Sequence, residues 1–512
     1  MPAIGIDLGT TYSCVFAVRQ NGDLQLVETP EGNELTPSVV HFSGSAVSVG
    51  ADAKERMADD PDNVVVGIKR YMGKDYPQEY GGVSYTPESI SAIILRRLAE
   101  DAAQHLRTGT DSLELVITVP AYFGVAEKEA TFAAAEIAGV KCLELLAEPV
   151  AAAYAYGVAD GAGSSLVFDL GGGTFDVAVV AATPGGAPRV WAVDGESQLG
   201  GLDWDRRMTS LMWDKIEAAV DDIDDCRYDD EFVALVESEA ERIKRELSVK
   251  ESATARLKFG PKRFSITMTR PEFEAASRDL VLQCHASVER VVAAAQRLGA
   301  PTVARILLVG GSTRLPMIRE ELANMLNVPV MINDPDKIVA KGAATLAAKL
   351  VNAGSQRRLL GAGERITSVL PRSIGVLIYS SRSPWREEPY VQHVLRANTP
   401  LPIVDAKVTV SAIFDGQEKA RIQLYEQAGA VESDDATDNR MVFDCEVSGM
   451  RKVKAGSEIY LLVSVAADGR ISVKASDFKD RELDMQAFIE GTLDNTEVQQ
   501  QRNAVAGLTL RS

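Results

Sequence analysis

An aspartate, three glycines and a threonine lie close together in the stretch D-L-G-G-G-T, residues 169–174. An apolar run precedes this stretch and an alternating run follows it, which predicts a β-hairpin with the glycines at its tip. Glycine tolerates positive φ and has no Cβ, and successive backbone N–H groups in such a turn can bind an anion. Asp169 would repel a phosphate unless a divalent cation lay between them. The stretch therefore predicts either an ordinary tight hairpin or a phosphate site that also holds a metal ion.

The start of the chain repeats this plan. An apolar strand ends in Asp7, a G-T-T turn follows at residues 9–11, and an alternating strand returns. Because each hairpin opens its own α/β segment, the pair predicts a duplicated fold with a ligand between the halves. Two facing turns could hold the β- and γ-phosphates of a nucleotide, and Asp7 and Asp169 could orient one hydrated Mg²⁺.

Other polar residues at the ends of predicted elements are candidates for the same ligand, and each also has an ordinary structural explanation. Lys69 follows an apolar run and could equally be a surface lysine. Glu148 precedes a proline and could equally be the acid at a helix start. Charges at i, i+3 and i+4 share one face of a helix predicted over about 230–247, which could equally be an exposed, ion-paired face. A strand over 304–309 leads into glycines and a helix start, a ligand edge at which Arg314 could lie flat against a purine ring.

The composition predicts an acidic protein with more than one domain, because 512 residues exceed what one core usually holds. With 73 acidic and 54 basic residues the net charge is −19, which argues against a duplex nucleic-acid binder. The cysteines and histidines are scattered, which argues against a disulfide framework, a zinc site and a histidine-based triad, and favours a reducing compartment. The first strand leaves no room for a signal peptide, and no run approaches the length of a membrane span. We therefore expect a cytoplasmic protein without nucleic-acid or membrane partners.

The pattern of predicted elements changes near residue 366. Before it, strands alternate with helices; after it, short alternating strands recur between Asp-Gly turns, which predicts a β-sandwich of roughly 115 residues. We predict an α/β nucleotide-binding domain over 1–352, a linker over 353–368, a β-sandwich over 369–484, and a short polar tail over 485–512 that could hold at most one or two short helices.

Five blocks make the chain resemble the Hsp70 (DnaK-type) chaperones over nearly its whole length. They are G-I-D-L-G-T-T-Y-S-C (5–14), V-I-T-V-P-A-Y-F (116–123), A-E-P-V-A-A-A-Y-A-Y-G (147–157), D-L-G-G-G-T-F-D-V (169–177) and L-V-G-G-S-T-R-L-P (308–316). The resemblance implies an actin-like ATPase fold of two lobes, each on a duplicated α/β core, with ATP in the cleft between them. It also implies that the small all-β sandwich domain binds an extended peptide.

The resemblance assigns roles to residues whose spacing alone left them open. It implies that Lys69 lies near the γ-phosphate and the attacking water, and that Glu148 helps to hold the metal and the water. Asp7 and Asp169, through water, and Thr174 would position the Mg²⁺ and the attacking water. The residues implied to contact ATP or ADP are Gly9, Thr10, Thr11, Tyr12, Gly171, Gly172, Gly173, Glu241, Lys244, Arg245, Ser248, Gly310, Gly311, Ser312, Arg314 and Asp336. Water would attack the γ-phosphorus in line without a covalent intermediate, and hydrolysis would change the angle between the lobes.

The sequence also departs from the family pattern. The segment Leu359–Leu370 lacks the family's acid-plus-leucine linker. Lys128 stands where an arginine usually assists a proline, here Pro120, that couples nucleotide state to the partner domain. The residues after Leu483 are too few for the family's helical lid, and W-R-E-E at 385–388 has no counterpart in the family.

These observations lead to three hypotheses. The first is an ATP-dependent chaperone whose lidless β-domain binds unfolded or specific client polypeptides weakly and with fast exchange, assisted by J-domain and nucleotide-exchange co-chaperones. The second is a nucleotide-dependent interaction module that binds one dedicated partner through the β-domain and the Trp385 region. The third is a small-molecule kinase on the same ATPase fold, which would leave the β-domain without a role.

Overall fold

The structure is a computed structural model. It describes residues 2–19, 21–57, 59–157, 163–182, 188–218, 224–353, 368–379, 389–450, 453–477, 481–488 and 493–511. Residues 354–367 of the predicted linker and the W-R-E-E segment at 385–388 lie outside the described residues.

Residues 2–157 form lobe I, whose main sheet is built on the Asp7 hairpin. Its strands are β1 (Ala3–Asp7), β2 (Tyr12–Val18), β3 (Leu24–Leu26), β4 (Thr36–Pro37), β5 (Val39–Ser43), β6 (Ala46–Val49), β7 (Val64–Val66), β8 (Gln78–Tyr80), β9 (Val83–Tyr85), β10 (Glu114–Val119) and β11 (Lys141–Ala147). Its helices are α1 (Ala51–Glu55), α2 (Pro87–Leu106), α3 (Val125–Ile137) and α4 (Glu148–Tyr156). The main sheet has the order β11-β10-β1-β2-β3; β1 and β2 are antiparallel, whereas β1, β10 and β11 are parallel. β5, β6 and β7 form a second sheet.

Residues 163–337 form lobe II, whose sheet is built on the Asp169 hairpin. Its strands are β12 (Ser164–Leu170), β13 (Phe175–Ala182), β14 (Pro188–Glu196), β15 (Ser252–Phe259), β16 (Lys262–Thr269), β17 (Val303–Val309) and β18 (Val330–Ile332). Its helices are α5 (Gly201–Glu217), α6 (Asp224–Arg227), α7 (Asp230–Leu247), α8 (Arg270–Ala276), α9 (Arg278–Arg297) and α10 (Pro316–Leu326). The order β18-β17-β12-β13-β14 and the strand directions repeat those of the lobe I sheet, so the predicted duplication is confirmed.

Local sequence sets where the elements begin. The hydroxyl of Thr86 accepts a hydrogen bond from the backbone N–H of Ser89 at 3.3 Å, and Pro87 is the first residue of α2, as predicted. The apolar stripe of α2, which includes Ile90 and Leu98, then packs into the core of lobe I. The sequence therefore fixes both the start of α2 and the face that it buries.

Helix α11 (Ile338–Ala353) joins the two lobes at their base, where it packs against β1 and α4. A Cβ on Gly342 would clash with the backbone carbonyl of Ala151 in α4, and one on Gly5 would clash with the backbone of Ala344. The core around this crossing contains side chains from both lobes, and half of those that the two helices contribute are alanines: Ala151, Ala152, Ala153, Ala343 and Ala347. The helices therefore meet at close distance through alanine and glycine.

The strands after residue 368 form a β-sandwich, which we call the β-domain. They are β19 (Ile374–Ile378), β20 (Tyr390–Leu395), β21 (Ile403–Ser411), β22 (Ala420–Gln427), β23 (Asn439–Ser448), β24 (Glu458–Val465), β25 (Ile471–Asp477) and β26 (Asp484–Phe488). One sheet has the order β20-β19-β22-β23-β26 and the other β21-β24-β25, with the β-domain's apolar core between them. The predicted combination of a two-lobed α/β fold with an all-β sandwich is confirmed.

The β-domain contacts lobe I at the start of α3. Val125 packs into the apolar core of the β-domain. The carboxylate of Glu426, which is 0% exposed, lies so close to Gly124 that a Cβ there would clash with it. Arg372 lies between Glu426 and Glu127, with its Nη1 at 3.4 and 3.6 Å from their carboxylates. The interface thus buries acidic and basic side chains together.

Residues 485–512, which the sequence analysis assigns to a polar tail, include regular elements that pack on lobe I. They are helix α12 (Asn495–Ala506) and strand β27 (Thr509–Arg511), which pairs in parallel with β6. Val498, Val505 and Leu508 are buried in the lobe I core. These apolar side chains, together with the pairing of β27, dock a segment whose composition is mostly polar. None of the described helices is long and apolar enough to cross a membrane.

Candidate functional site

The two glycine-threonine turns face each other across a cleft of about 730 Å³ between the lobes. A Cβ on Gly172 would clash with the Thr11 side chain, and a Cβ on Gly173 would clash with that of Thr10. None of Gly171, Gly172 and Gly173 has a positive φ. The turn therefore requires glycine for the close approach of the opposite hairpin, and not for backbone freedom.

The cleft brings together all the predicted site residues except Gly173. Its floor and walls include the proposed catalytic residues Asp7, Lys69, Glu148, Asp169 and Thr174. The nucleotide-contact candidates that line it are Gly9, Thr10, Thr11, Tyr12, Gly171, Gly172, Glu241, Lys244, Arg245, Ser248, Gly310, Gly311, Ser312, Arg314 and Asp336. Gly173 lies behind the turn, where its carbonyl accepts a hydrogen bond from Arg70 Nε at 2.7 Å.

Four carboxylates, those of Asp7, Glu148, Asp169 and Asp176, interact with the Lys69 ammonium at the floor of the cleft. Lys69 Nζ donates a hydrogen bond to Glu148 Oε1 at 2.7 Å. Burial and the neighbouring Glu148 raise the pKa of Asp7 to about 7, and they hold the pKa values of Asp169 and Asp176 well above the usual range. Burial alone would lower the pKa of Lys69, but Glu148 and Asp7 raise it above its ordinary value. Lys69 cannot offset four acids, so the site favours a further cation.

The carboxylates of Asp7 and Asp169 are donor groups of the kind that a divalent cation binds. Asp7 accepts a hydrogen bond from Thr118 Oγ1 at 3.2 Å, which orients its carboxylate at the end of β1. Both carboxylates line the cleft beside the two glycine-threonine turns, and carboxylate oxygens are ligands that Mg²⁺ prefers. Within the described residues, no group of three or more His, Cys, Asp or Glu side chains is placed to coordinate a metal directly.

A side pocket of the cleft lies between α7 and the turn after β17. On the α7 side, Lys244 Nζ bonds to the Gly201 carbonyl at 3.0 Å and pairs with Asp205 at 2.7 Å. On the other side, Ser312 Oγ donates to the Gly171 carbonyl at 2.9 Å, which links this turn to the phosphate turn. Arg314 pairs with Asp336 at 2.6 Å, so its guanidinium plane is held at the rim of the pocket.

A hydrogen-bonded bridge connects the two lobes at the mouth of the cleft. Lys54 of α1 donates to Tyr12 Oη at 2.9 Å and to Glu241 Oε2 at 2.7 Å. Arg245 Nη2 donates to the same Tyr12 oxygen at 2.9 Å. These contacts join side chains of both lobes across the mouth of the cleft.

Comparison with known proteins agrees with this geometry. The model of the family described as Hsp70 protein matches residues 3–80 and 77–506. The chaperone protein DnaK of Halobacterium salinarum is 33% identical over 484 residues, which is 93% of this chain and 73% of the relative. Those of Thermotoga neapolitana and Thermotoga maritima are 33% identical over 487 residues, 93% of this chain and 78% of each relative.

The chain belongs to the Hsp70 family. The resemblance seen in the five sequence blocks is thereby confirmed, and the protein is a member of a chaperone family. The Hsp70 match also agrees with the two lobes and the β-sandwich that the structure shows.

Sequence reasoning missed several residues of this Hsp70 cleft. Asp176 lies directly opposite Asp169 in the hairpin register, and its Oδ1 accepts a hydrogen bond from the Tyr122 N–H at 3.2 Å. In a hairpin whose turn has four residues, 171–174, Asp176 is expected to lie opposite Asp169. Opposite residues of an antiparallel pair share one face, so this register could have indicated Asp176. Arg70 joins the Gly173 turn to Asp203 at 2.6 Å, and Lys54 spans the mouth; neither has a local sequence signal.

Replacing Lys54 with alanine should speed release of ADP about twofold to fivefold, because a partly exposed ion pair contributes about 0.5–1 kcal/mol. The Lys54 and Glu241 side chains are 35% and 26% exposed. Stopped-flow displacement of a fluorescent ADP analogue measures the rate. Lys250→Ala is the matched control, because Lys250 follows α7, pairs with Glu246 and does not line the cleft. Equal release rates for Lys54→Ala and wild type would show that the bridge does not hold the cleft closed.

Proposed function

We propose that this Hsp70 chain hydrolyses ATP and uses hydrolysis to control the binding of extended segments of unfolded or specific client polypeptides by a β-domain without a helical lid. The observation that carries the proposal is the pair of facing glycine-threonine turns above a buried Lys69 and four carboxylates. We further propose an ATPase domain over 1–352, a linker over 353–368, and a β-sandwich that begins at 369 and ends with β26 at Phe488, four residues beyond the predicted boundary at 484.

The chain's own groups supply most of the chemistry of hydrolysis. The N–H groups of the two turns bind the phosphates. The Lys69 ammonium stabilises charge that develops on the γ-phosphate, and its contact with Glu148 holds it in place. Glu148 and Thr174 orient the attacking water. Asp7 and Asp169 would hold Mg²⁺ through water, and the ion would further stabilise the phosphate charge.

The adenosine half of ATP or ADP fits the side pocket. The face of α7 carries Glu241, Lys244 and Ser248 on one side, and the turn at Gly311 lies on the other. Arg314, fixed by Asp336, covers the purine from the rim. Phosphate release from ATP by the full chain, with and without Mg²⁺, tests this proposal; no release with Mg²⁺ present would contradict it.

A client segment fits one end of the β-domain. Because β19 and β22 are antiparallel, the end of β19 lies beside the turn that joins β21 to β22. Tyr379, Ile413 and Phe414 are 61%, 58% and 59% exposed at this end. Neighbouring exposed apolar side chains are typical of peptide-binding surfaces. The segment that follows β26 packs on lobe I, so its described residues do not cover this end.

Replacing Ile413 and Phe414 together with serine should weaken binding of a fluorescent extended peptide at least about tenfold, because burial of each side chain contributes about 1.5–3 kcal/mol. Fluorescence anisotropy of the full chain in ATP and in ADP measures the affinity. Val404→Ser is the matched control, since Val404 is 72% exposed near the opposite end of β21. An unchanged affinity in the double variant would place the client site elsewhere.

The second candidate, a module for one dedicated partner, differs in what the chain captures. J-domain and nucleotide-exchange co-chaperones are further proposed partners of the chaperone. Capture from a cell lysate in ATP and in ADP distinguishes the two: a range of clients supports a chaperone, and one stoichiometric protein supports the dedicated module.

A further inference from the structure

Residues 493–511, which we call the return segment, are bound to lobe I by an apolar core contact and by strand pairing. Val505 and Leu508 are 2% and 6% exposed in the same core as the stripe of α2. β27 extends the sheet of β5, β6 and β7, with Leu510 opposite Val47. Strand addition satisfies backbone groups at the edge of β6 that would otherwise be free.

Two arginine side chains of lobe I donate hydrogen bonds to backbone carbonyl groups near the end of the return segment. Arg96 Nη1 donates to the carbonyls of Val505 and Leu508 at 3.1 and 3.2 Å, where a cation is favourable at the end of α12. Arg97 Nη1 donates to the Arg511 carbonyl at 3.2 Å. These contacts fix the orientation of the segment as well as its position.

The return segment connects the β-domain to lobe I a second time. The chain enters the β-domain through residues 354–367, which can span at most about 50 Å, and leaves it after β26. The residues between β26 and α12, 489–494, can span at most about 20 Å. While the return segment stays bound, the second connection therefore limits how far the β-domain can move from lobe I.

The surface that holds the return segment is separate from the nucleotide cleft. None of the residues that line the cleft belongs to α2, α3 or β6. The contacts of α12 and β27 therefore do not depend directly on which nucleotide is bound.

We propose that the return segment is a tether that keeps the β-domain beside lobe I in every nucleotide state. Nucleotide-dependent changes in client affinity then arise within a docked β-domain and not by its separation from the ATPase lobes. This tether does not depend on the proposed ATP hydrolysis, because its contacts form in the chain itself.

The decisive experiment lengthens the tether without touching any of the contacts described. A flexible Gly/Ser insertion of 20 residues between Phe488 and Leu493 adds a reach of about 25 Å. X-ray scattering of the full chain in ATP and in ADP gives the radius of gyration. We expect a value near the about 24 Å of a compact chain of this length for wild type in both nucleotides, and a larger value for the insertion variant in at least one.

A second variant releases the tether at its other end. Val505→Asp with Leu508→Asp should make the amides of α12 and β6 exchange with deuterium at least 100-fold faster, and should raise the radius of gyration as the insertion does. Gln500→Asp with Asn503→Asp adds the same charge to the exposed face of α12 and should change neither quantity. Nucleotide binding, measured by calorimetry, checks that each variant is folded.

Three results would overturn the proposal. One is a radius of gyration of the wild-type protein that rises in ADP to the value of the two variants. Another is an insertion variant with the wild-type radius in both nucleotides, because the tether would then restrain nothing. The third is a wild-type dimer whose return segments exchange between copies, since the segment would then bind lobe I of a second chain.

Discussion

Replacing Lys69 with alanine should lower the rate of ATP hydrolysis by a factor of about 100 to 1,000, the usual effect of removing one charge-stabilising group from a buried site. The Lys69 side chain is buried and contacts Glu148 at the floor of the cleft. Without it, charge that develops on the γ-phosphate loses its nearest ammonium. ATP should still bind, because the phosphate turns and the pocket beside α7 keep their own contacts.

Single-turnover hydrolysis separates this effect from binding. The rate of phosphate release from pre-bound ATP should fall in Lys69→Ala, whereas the dissociation constant for ATP, from calorimetry, should change by less than about fivefold. Lys250→Ala removes an exposed lysine that does not line the cleft. It should leave the rate of phosphate release and the dissociation constant for ATP at the wild-type level. A turnover rate unaffected by Lys69→Ala would remove Lys69 from the catalytic site.

Replacing Arg372 with methionine should destabilise the docked β-domain by about 3–5 kcal/mol, because removal of one member of a buried ion pair leaves its partner uncompensated. Glu426 is 0% exposed, and Glu127 is also buried. Burial alone would lower the pKa of Arg372, but Glu127 and Glu426 raise it, so the guanidinium stays charged. Arg440 still contacts Glu127 at 3.1 Å, and its charge also acts on Glu426, but the hydrogen bond from Arg372 to Glu426 is lost.

A second substitution shows whether charge is the cause. In Arg372→Met with Glu426→Gln, the uncompensated carboxylate is gone, and we expect more than half of the lost stability to return. Arg421→Met is the control, because Arg421 pairs with Asp444 on the exposed face of the same sheet. Native-state hydrogen exchange at residues 125–129 measures the opening of the interface. Wild-type protection in Arg372→Met would mean that the ion cluster does not hold the domains together.

The sequence predicted those parts of the structure whose partners lie close together along the chain. The Asp169 and Asp7 hairpins, and the start of α2 at Thr86, each depend on residues within about ten positions, so the pattern of types identifies them. The roles of Lys69 and Glu148 came from the family resemblance, since each has an ordinary local explanation. The structure brings their side chains to 2.7 Å of each other.

Other parts could not be predicted because their partners are distant in sequence. Arg372 and Glu127 are separated by most of the ATPase lobes, and an ionic contact over such a span has no periodic signal. The return segment offered few apolar residues, and Val505 and Leu508 are recognisable as buried only once α2 and β6 are in place. Tertiary packing, and not local propensity, decides whether such segments form regular structure and where they dock.

The alanine and glycine crossing of α4 and α11 has a mechanical consequence. Interlocked large side chains resist sliding, because each must leave the hollow that it fills before it can enter the next. The close contact at this crossing runs through alanine and Gly342, so a small shift of one helix along the other would require fewer rotamer changes than a contact between large side chains. The base of the cleft is thereby suited to shear. A bulky side chain at position 342 would prevent this shift or would push α4 and α11 apart.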